Sequence, residues 1–284
     1  MKIGLSIVII ILAVLSTLWQ LDAEAMTMLD ASFDRAMVAF GLAKALNAVI
    51  SLIQGTELSL TPVGIGLNFS VGEVLDPFND IVERFSWVML LSSVALGIEK
   101  LLLIFSSKLF LQIALSLSGV LTLSFLWIKK LKNSLFLAYS LKIFLFLLVI
   151  RFAAVVFVYS SQILYDSLLQ NEYVHATKVI TKTKTELEAI ETKNKSILQQ
   201  KKEQGFLDSL GSKYDSVVES LNLSKQLDSL EKSIDDATRN IISLITVFVV
   251  QTVLFPLLFL WFIIAVIRWI FGYENDKLIK YIIY

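Results

Sequence analysis

Ile143–Tyr165, IFLFLLVIRFAAVVFVYSSQILY, and Ile241–Ile267, IISLITVFVVQTVLFPLLFLWFIIAVI, are the stretches that decide the fold. Each is apolar over the ~20 residues that a helix needs to cross a hydrocarbon layer about 30 Å thick. Residues 166–240 between them are charged, rich in helix formers and nearly free of Gly and Pro. Neither junction carries a helix stop, so each apolar helix is expected to run straight out into the polar segment.

The polar segment has a periodic seam. Leu169, Tyr173, Ala176, Ile180, Thr183, Leu187, Ile190, Asn194 and Ile197 alternate in steps of four and three. That is the heptad spacing of a coiled coil. The pattern restarts at Leu207, Leu210, Tyr214, Val217 and Leu221. It shifts phase and continues at Leu223, Leu227, Leu230, Ile234, Ala237 and Ile241. Gly205 and Gly211 are the turn candidates, and the return arm must run antiparallel to re-enter the membrane. At 1.5 Å per residue, arms of roughly 35–40 residues would project on the order of 50–60 Å. Thr183 and Asn194, polar residues on an apolar seam, are expected to fix its register.

Composition agrees with this reading. Hydrophobic residues make up 56% of the chain and the mean hydropathy is +0.73. Lys+Arg and Asp+Glu both number 25, so no bulk charge points to nucleic acid. There is no Cys, which excludes disulfide and thiolate chemistry, and the single His excludes a multi-His metal site. No nucleophile–base pair, paired-carboxylate motif, phosphate loop or metal cluster stands out, so neither an enzyme nor a cofactor is expected.

Six regions follow in order. Residues 1–25 carry Lys2, an apolar run and Ala23-Glu24-Ala25, which fits a signal peptide or an N-terminal anchor helix. Residues 26–84 hold an Ala-rich helix over 36–54 and a β-like segment near 56–70, closed by Asp76-Pro77 with Pro77 near the first position of the next helix. Residues 85–165 supply transmembrane helices, among them a tight hairpin whose legs are separated only by Ser106-Ser107-Lys108. The coiled hairpin is 166–240, a last transmembrane helix is 241–267, and 268–284 is an interfacial tail. The fold class is therefore an all-α integral membrane protein of five to six transmembrane helices with an antiparallel coiled-coil hairpin.

Lys and Arg near helix ends set orientation. If 36–54 spans, Lys2, Arg84, Lys129, Lys130, Lys132, Lys142, Arg268, Lys277 and Lys280 lie in the cytoplasm, against Arg35, Lys100 and Lys108 outside. This count favours an external, periplasmic hairpin on a bacterial inner membrane. The opposite orientation follows if 36–54 lies on the surface.

Several residues stand out. Arg151 sits in mid-helix, where a charge is costly and faces protein or water. It reads as a pore residue or as a buried ion pair, with Glu99 the partner considered. Lys44 interrupts the Ala-rich helix and would face the protein interior if that helix spans. Pro256 leaves the carbonyl of Thr252 without its usual donor and is expected to kink the last span. His175, off the seam, is expected to be a solvated surface residue. The stretch 20–84 holds nine acids, including Asp22 and Asp30, against three bases, which reads as a solvated face or a cation-attracting vestibule.

Two functional classes remain. A homo-oligomer is expected in either case, associating through the coil and the helix 36–54, with Arg151 facing its interior. One class is a channel or pore. The other is a non-conducting membrane scaffold whose hairpin holds a protein partner, and in which Arg151→Leu would be tolerated. The lipid bilayer is the partner common to both.

Overall fold

The computed structural model describes residues 2–17, 19–57, 71–128, 134–203 and 215–272. The described residues are helical, with turns at 16–17 and 107–108 and no strand among them. The helices are α1 (Lys2–Leu15), α2 (Trp19–Glu57), α3 (Val71–Ser106), α4 (Leu109–Trp127), α5 (Ser134–Leu164), α6 (Gln170–Glu203), α7 (Asp215–Val249) and α8 (Phe255–Gly272). Five helical stretches are long and apolar enough to cross a membrane: Gln20–Gln54, Leu75–Ser106, Leu109–Trp127, Leu135–Thr192 and Ser229–Gly272.

Both junctions with the polar segment stay helical. A π-helical turn, Tyr165–Leu169, joins α5 to α6, and another, Val250–Leu254, joins α7 to α8. α3 and α4 are separated by a break at Ser107-Lys108, where the Ser107 amide donates to the Leu103 carbonyl and the Lys108 amide to that of Phe105. The tight hairpin expected there does not form: α3 and α4 do not pack along each other, because α4 finds its apolar partners on α5 and α1 instead. The β-like segment expected near 56–70 lies outside the described residues, apart from its first two positions, which end α2. Pro77 does not open α3, which starts six residues earlier at Val71. A proline there removes a hydrogen bond at a cost of ~3 kcal/mol. The buried stripe that flanks it, with Leu75, Phe78, Val82 and Phe85 each at most 1% exposed, offsets that cost.

The chain divides into two compact units. The first takes the described residues up to Asp34, Val94–Ser167 and those from Val250 onward. In it α1 packs on α4 and α5, with Ile9, Leu115 and Phe144 buried together. Gly119 makes this approach possible: a Cβ there would sit 3.3 Å from the Phe144 ring and 3.5 Å from Ile9. Ser6 binds the indole N–H of Trp127 at 2.9 Å. α5 and α8 meet through aromatic rings, Phe157 against Phe255 and Phe259, and Phe146 against Phe271. Ser and Thr hydroxyls on these apolar helices, such as Ser118 and Thr122, donate to carbonyls three or four residues back, so they leave no unmet hydrogen bond in an apolar setting.

The second unit takes Arg35–Ser93 and Leu168–Val249. Its four helical segments each bury a stripe in steps of three and four. On α2 the stripe is Ala36, Ala39, Ala43, Leu46, Ile50 and Ile53; on α3 it is Leu75, Phe78, Val82, Phe85 and Met89. On α6 it is Ala176, Ile180, Thr183 and Leu187, and on α7 Leu230, Ile234, Ala237 and Ile241. Such spacing turns one narrow face of a helix toward its neighbours. α6 and α7 run antiparallel. Glu172 accepts from Ser243 at 2.8 Å, His175 Nδ1 lies 3.1 Å from Asn240 Oδ1, and Thr183 donates to the Ser233 carbonyl at 3.3 Å. His175 is thus exposed, as expected, but tied across the pair. α2 joins through its Arg35 carbonyl, which accepts from the Tyr173 hydroxyl at 3.4 Å, and α2 and α3 are tied by Gln54 and Asp76 at 2.7 Å.

The Gly119 contact is directly testable. Gly119→Leu should force α1 and α4 apart and destabilise the fold by about 1–3 kcal/mol, the usual cost of overpacking. A lowered thermal midpoint in detergent, followed by circular dichroism, would report it. At Gly97, where a Cβ meets nothing within 4 Å, Gly97→Ala should leave the midpoint unchanged or raise it.

Candidate functional site

The first unit encloses one charged pair in an apolar setting. α1 ends at Leu15, and the helix is interrupted at Ser16-Thr17 before α2 continues along α5 in the same direction as α1. Near this end the Ser16 amide donates to Leu12 and its hydroxyl to Ala13, while Thr17 donates to Val14. The Ser16 carbonyl, beyond the end of α1, is taken by Arg151 from mid-α5: Nη2 donates to it at 2.9 Å and Nε at 3.2 Å. The other edge of the guanidinium grips Asp22 in the first turn of α2, with Nη1 to Oδ1 at 2.9 Å and Nη2 to Oδ2 at 2.6 Å. The Phe152 ring centroid lies 5.3 Å from the guanidinium carbon.

Two helix ends reinforce the pair. The C-terminal end of α1 is the negative end of its dipole and favours a cation; the N-terminal end of α2 is positive and favours a carboxylate. A planar fork with five N–H donors can hold a carboxylate and a carbonyl together, which a lysine could not do. Arg151 is 1% exposed and Asp22 7%. Arg151 therefore finds its counter-ion in Asp22, and Glu99 is not among its partners.

Glu99 lies elsewhere in the same unit. It faces a cavity of about 410 Å3 between α3, α5 and α8, lined by Leu102, Phe105, Ala153, Ala154, Phe157, Pro256 and Phe259 among others. The neighbouring cation Lys100 is engaged by Asp30 at 2.6 Å. Small residues at 153 and 154 leave space beside Phe157. On α8 the backbone departs from α-helical hydrogen bonding over Val250–Leu254, ending two residues before Pro256. The side chains of Gln251 and Thr252 are buried there, and the Gln251 amide reaches the Ser32 hydroxyl at 3.4 Å.

Lys44 lies on the exposed face of α2, with its ammonium 5.8 Å from the Phe40 ring centroid and buried Ala43 beside it in sequence. Thr183 is 2% exposed at the α6–α7 contact and bonds across it. Asn194 falls within α6, but its side chain lies outside the described residues. No group of three or more His, Asp or Glu converges as a metal ion requires among the described residues.

Sequence reasoning missed Asp22 and Ser16. Asp22 was only one of nine acids, and it directly precedes the Ala23-Glu24-Ala25 signature that reads as a processing site. In the structure that signature lies inside α2, with Ala25 fully buried. The available signal was electrostatic. An Arg in the middle of an apolar helix needs an acid delivered to it, and two apolar runs end in one, residues 3–21 at Asp22 and residues 85–98 at Glu99.

Breaking one side of the pair should cost far more than replacing both. Arg151→Leu strands the Asp22 carboxylate and is expected to destabilise by about 3–5 kcal/mol. This reverses the tolerance anticipated for that substitution when no partner was known. Asp22→Leu should cost a similar amount, and the double variant should recover most of the loss, since apolar packing often substitutes for a buried pair. A double-mutant cycle on detergent unfolding measures this. Additive losses would show that the two residues act independently.

Comparison with known proteins adds no family: no family model, no curated protein and no solved structure matches this chain.

Proposed function

We propose that the chain is an integral membrane scaffold, with the apolar helices of the first unit in a bilayer and the α6–α7 hairpin, together with the parts of α2 and α3 that belong to its unit, presented outside the membrane to a protein partner. The observation that carries this reading is the Arg151–Asp22–Ser16 clamp. The cation that a pore reading depends on is fully engaged inside one chain. The surfaces suited to self-association are engaged as well: the small residues Ala36, Ala39 and Ala43 of α2, and the α6–α7 seam, are buried within a single copy.

The membrane setting is supported by what the first unit leaves exposed. Trp261 is 71% exposed, Leu109 68%, Leu258 67% and Ile3 66%, on three different helices. Soluble monomers rarely expose continuous apolar surface of this kind. In lipid the same surface costs nothing. The α6 arm is different: Lys178, Lys182, Lys184, Glu186 and Glu188 give it a charged exterior suited to water, with i,i+4 pairs at Lys182–Glu186 and Lys184–Glu188.

On this reading α1 stays attached. Cleavage after Ala25 would remove both Ser16 and Asp22 and leave Arg151 as a bare cation in mid-span. Insertion scales put a central Arg at about +2.5 to 3.5 kcal/mol. The intact mass of the purified protein should therefore include residues 1–25.

Three measurements separate scaffold from channel. Native mass spectrometry in mild detergent should give one copy of the chain, and reconstitution into planar bilayers should give no conductance above the lipid baseline. A steady conductance whose ion preference changes with Arg151→Glu would overturn the scaffold reading. Orientation follows from labelling, because the chain has no Cys. Ser209→Cys should react with an impermeant maleimide in intact cells and Lys130→Cys should not; the reverse pattern would place the hairpin in the cytoplasm.

A further inference from the structure

We propose that the cavity beside Glu99 is a binding site for a lipophilic organic cation, a molecule with a protonated or quaternary amine on an apolar body. The cavity volume, about 410 Å3, is that of a pocket for a small organic molecule. Its lining combines one carboxyl group with the rings of Phe105, Phe157 and Phe259 and is otherwise apolar but for the Ser106 hydroxyl. That hydroxyl already donates to the Leu103 carbonyl at 2.9 Å.

This is the set of groups that recognises an alkylammonium. Aromatic faces attract a cation through the ring quadrupole, most strongly where water is excluded, and a carboxylate supplies the opposite charge. The apolar remainder of the lining accepts the body of the ligand. Charge selects the sign of the occupant. Both neighbouring cations are engaged elsewhere, Lys100 by Asp30 and Arg151 by Asp22. Glu99 thus has no ion pair among the described residues, and an acid in an apolar helix without a partner marks a functional position more often than a structural one. Phe157 and Phe259 hold each other edge to face with centroids 5.1 Å apart, so two of the three rings are fixed before a ligand arrives.

The proposal is independent of the scaffold reading, because the cavity lies wholly in the first unit and involves neither Arg151 nor the hairpin. The probe is radiolabelled tetraphenylphosphonium, a permanent lipophilic cation, in equilibrium dialysis against the full chain in phosphatidylglycerol nanodiscs. Empty nanodiscs give the partitioning background. A saturable component of one site per chain is expected. Glu99→Gln should weaken it at least about tenfold, the loss of one charge-assisted contact. Ala154→Trp, which fills the cavity, should remove it, while Glu99→Asp should retain part of it. Circular dichroism confirms that each variant is folded. Repeating the assay in phosphatidylcholine tests the lipid headgroup as occupant: displacement of the probe there would assign the site to choline lipid and overturn the small-molecule proposal. Absence of a saturable component, or one unchanged by Glu99→Gln, would overturn it as well.

Discussion

A guanidinium placed in the middle of an apolar helix constrains everything near it. Arg151 cannot face hydrocarbon cheaply. The only remedy is a set of acceptors delivered to its depth by other elements. Here they come from one break between two helices: the carbonyl beyond the end of α1 and the first-turn carboxylate of α2. That break must occur where it does, which in turn fixes the position of α1 along α4 and α5. The close contact at Gly119 and the Ser6–Trp127 hydrogen bond then follow from a position already chosen. Buried pairs are weak evidence of net stability, but they are effective at excluding alternatives, since any slipped arrangement strands a charge.

The second unit is held together by a different rule, repetition of a narrow apolar face. Four helical segments carry the same three–four spacing, and the residues change to suit the neighbour. α2 uses alanines, which let backbones approach closely, whereas α3 uses Phe78, Phe85 and Met89, which fill volume. The buried polar residue of the α6–α7 contact, Thr183, shares its one hydroxyl proton between the Val179 carbonyl on its own helix and the Ser233 carbonyl across the pair. A satisfied hydroxyl costs little and loses its partner on any slip of register.

The long-period features were legible in the sequence because they repeat. The α6 and α7 stripes and the absence of a helix stop at either junction rest on several residues in agreement, so one ambiguous position cannot mislead. The short link Ser106-Ser107-Lys108 did mislead: its length suggests a tight hairpin, but α4 packs on α5 and α1 rather than on α3. The stripes of α2 and α3 carried the same spacing. The α2 stripe left 36–54 open between a span and a surface helix, because alanine scores low for hydrophobicity while packing well. What was not legible depended on one residue meeting another far along the chain. The pairing of Arg151 with Asp22 spans 129 positions and has no periodicity to announce it. The start of α3 was misplaced for the opposite reason: Pro77 is a strong local signal, and a buried stripe on both sides of it overrode that signal.

The two π-helical turns fall at a telling place. The chain passes between the units inside α2 at 34–35 and inside α3 at 93–94, both in unbroken α-helix, and at 167–168 and 249–250, where the π turns cover Tyr165–Leu169 and Val250–Leu254. A π turn takes one residue more than an α turn, so it rotates every later side chain by roughly 100° relative to an unbroken helix. A helix packed one way in one unit can thereby present a different face in the next without a break in its backbone. A loop would achieve the same change of face, but it would leave carbonyls and amides unpaired, which an apolar setting does not tolerate. Continuous helix with one inserted residue satisfies both demands, and in the second insertion the side chains of Gln251 and Thr252 are buried, with Gln251 bonded to Ser32. It also places the altered turn directly before Pro256, which lacks the N–H that an α-helical register would require at that position. Proline and π turn therefore act together, each reducing the cost of the other.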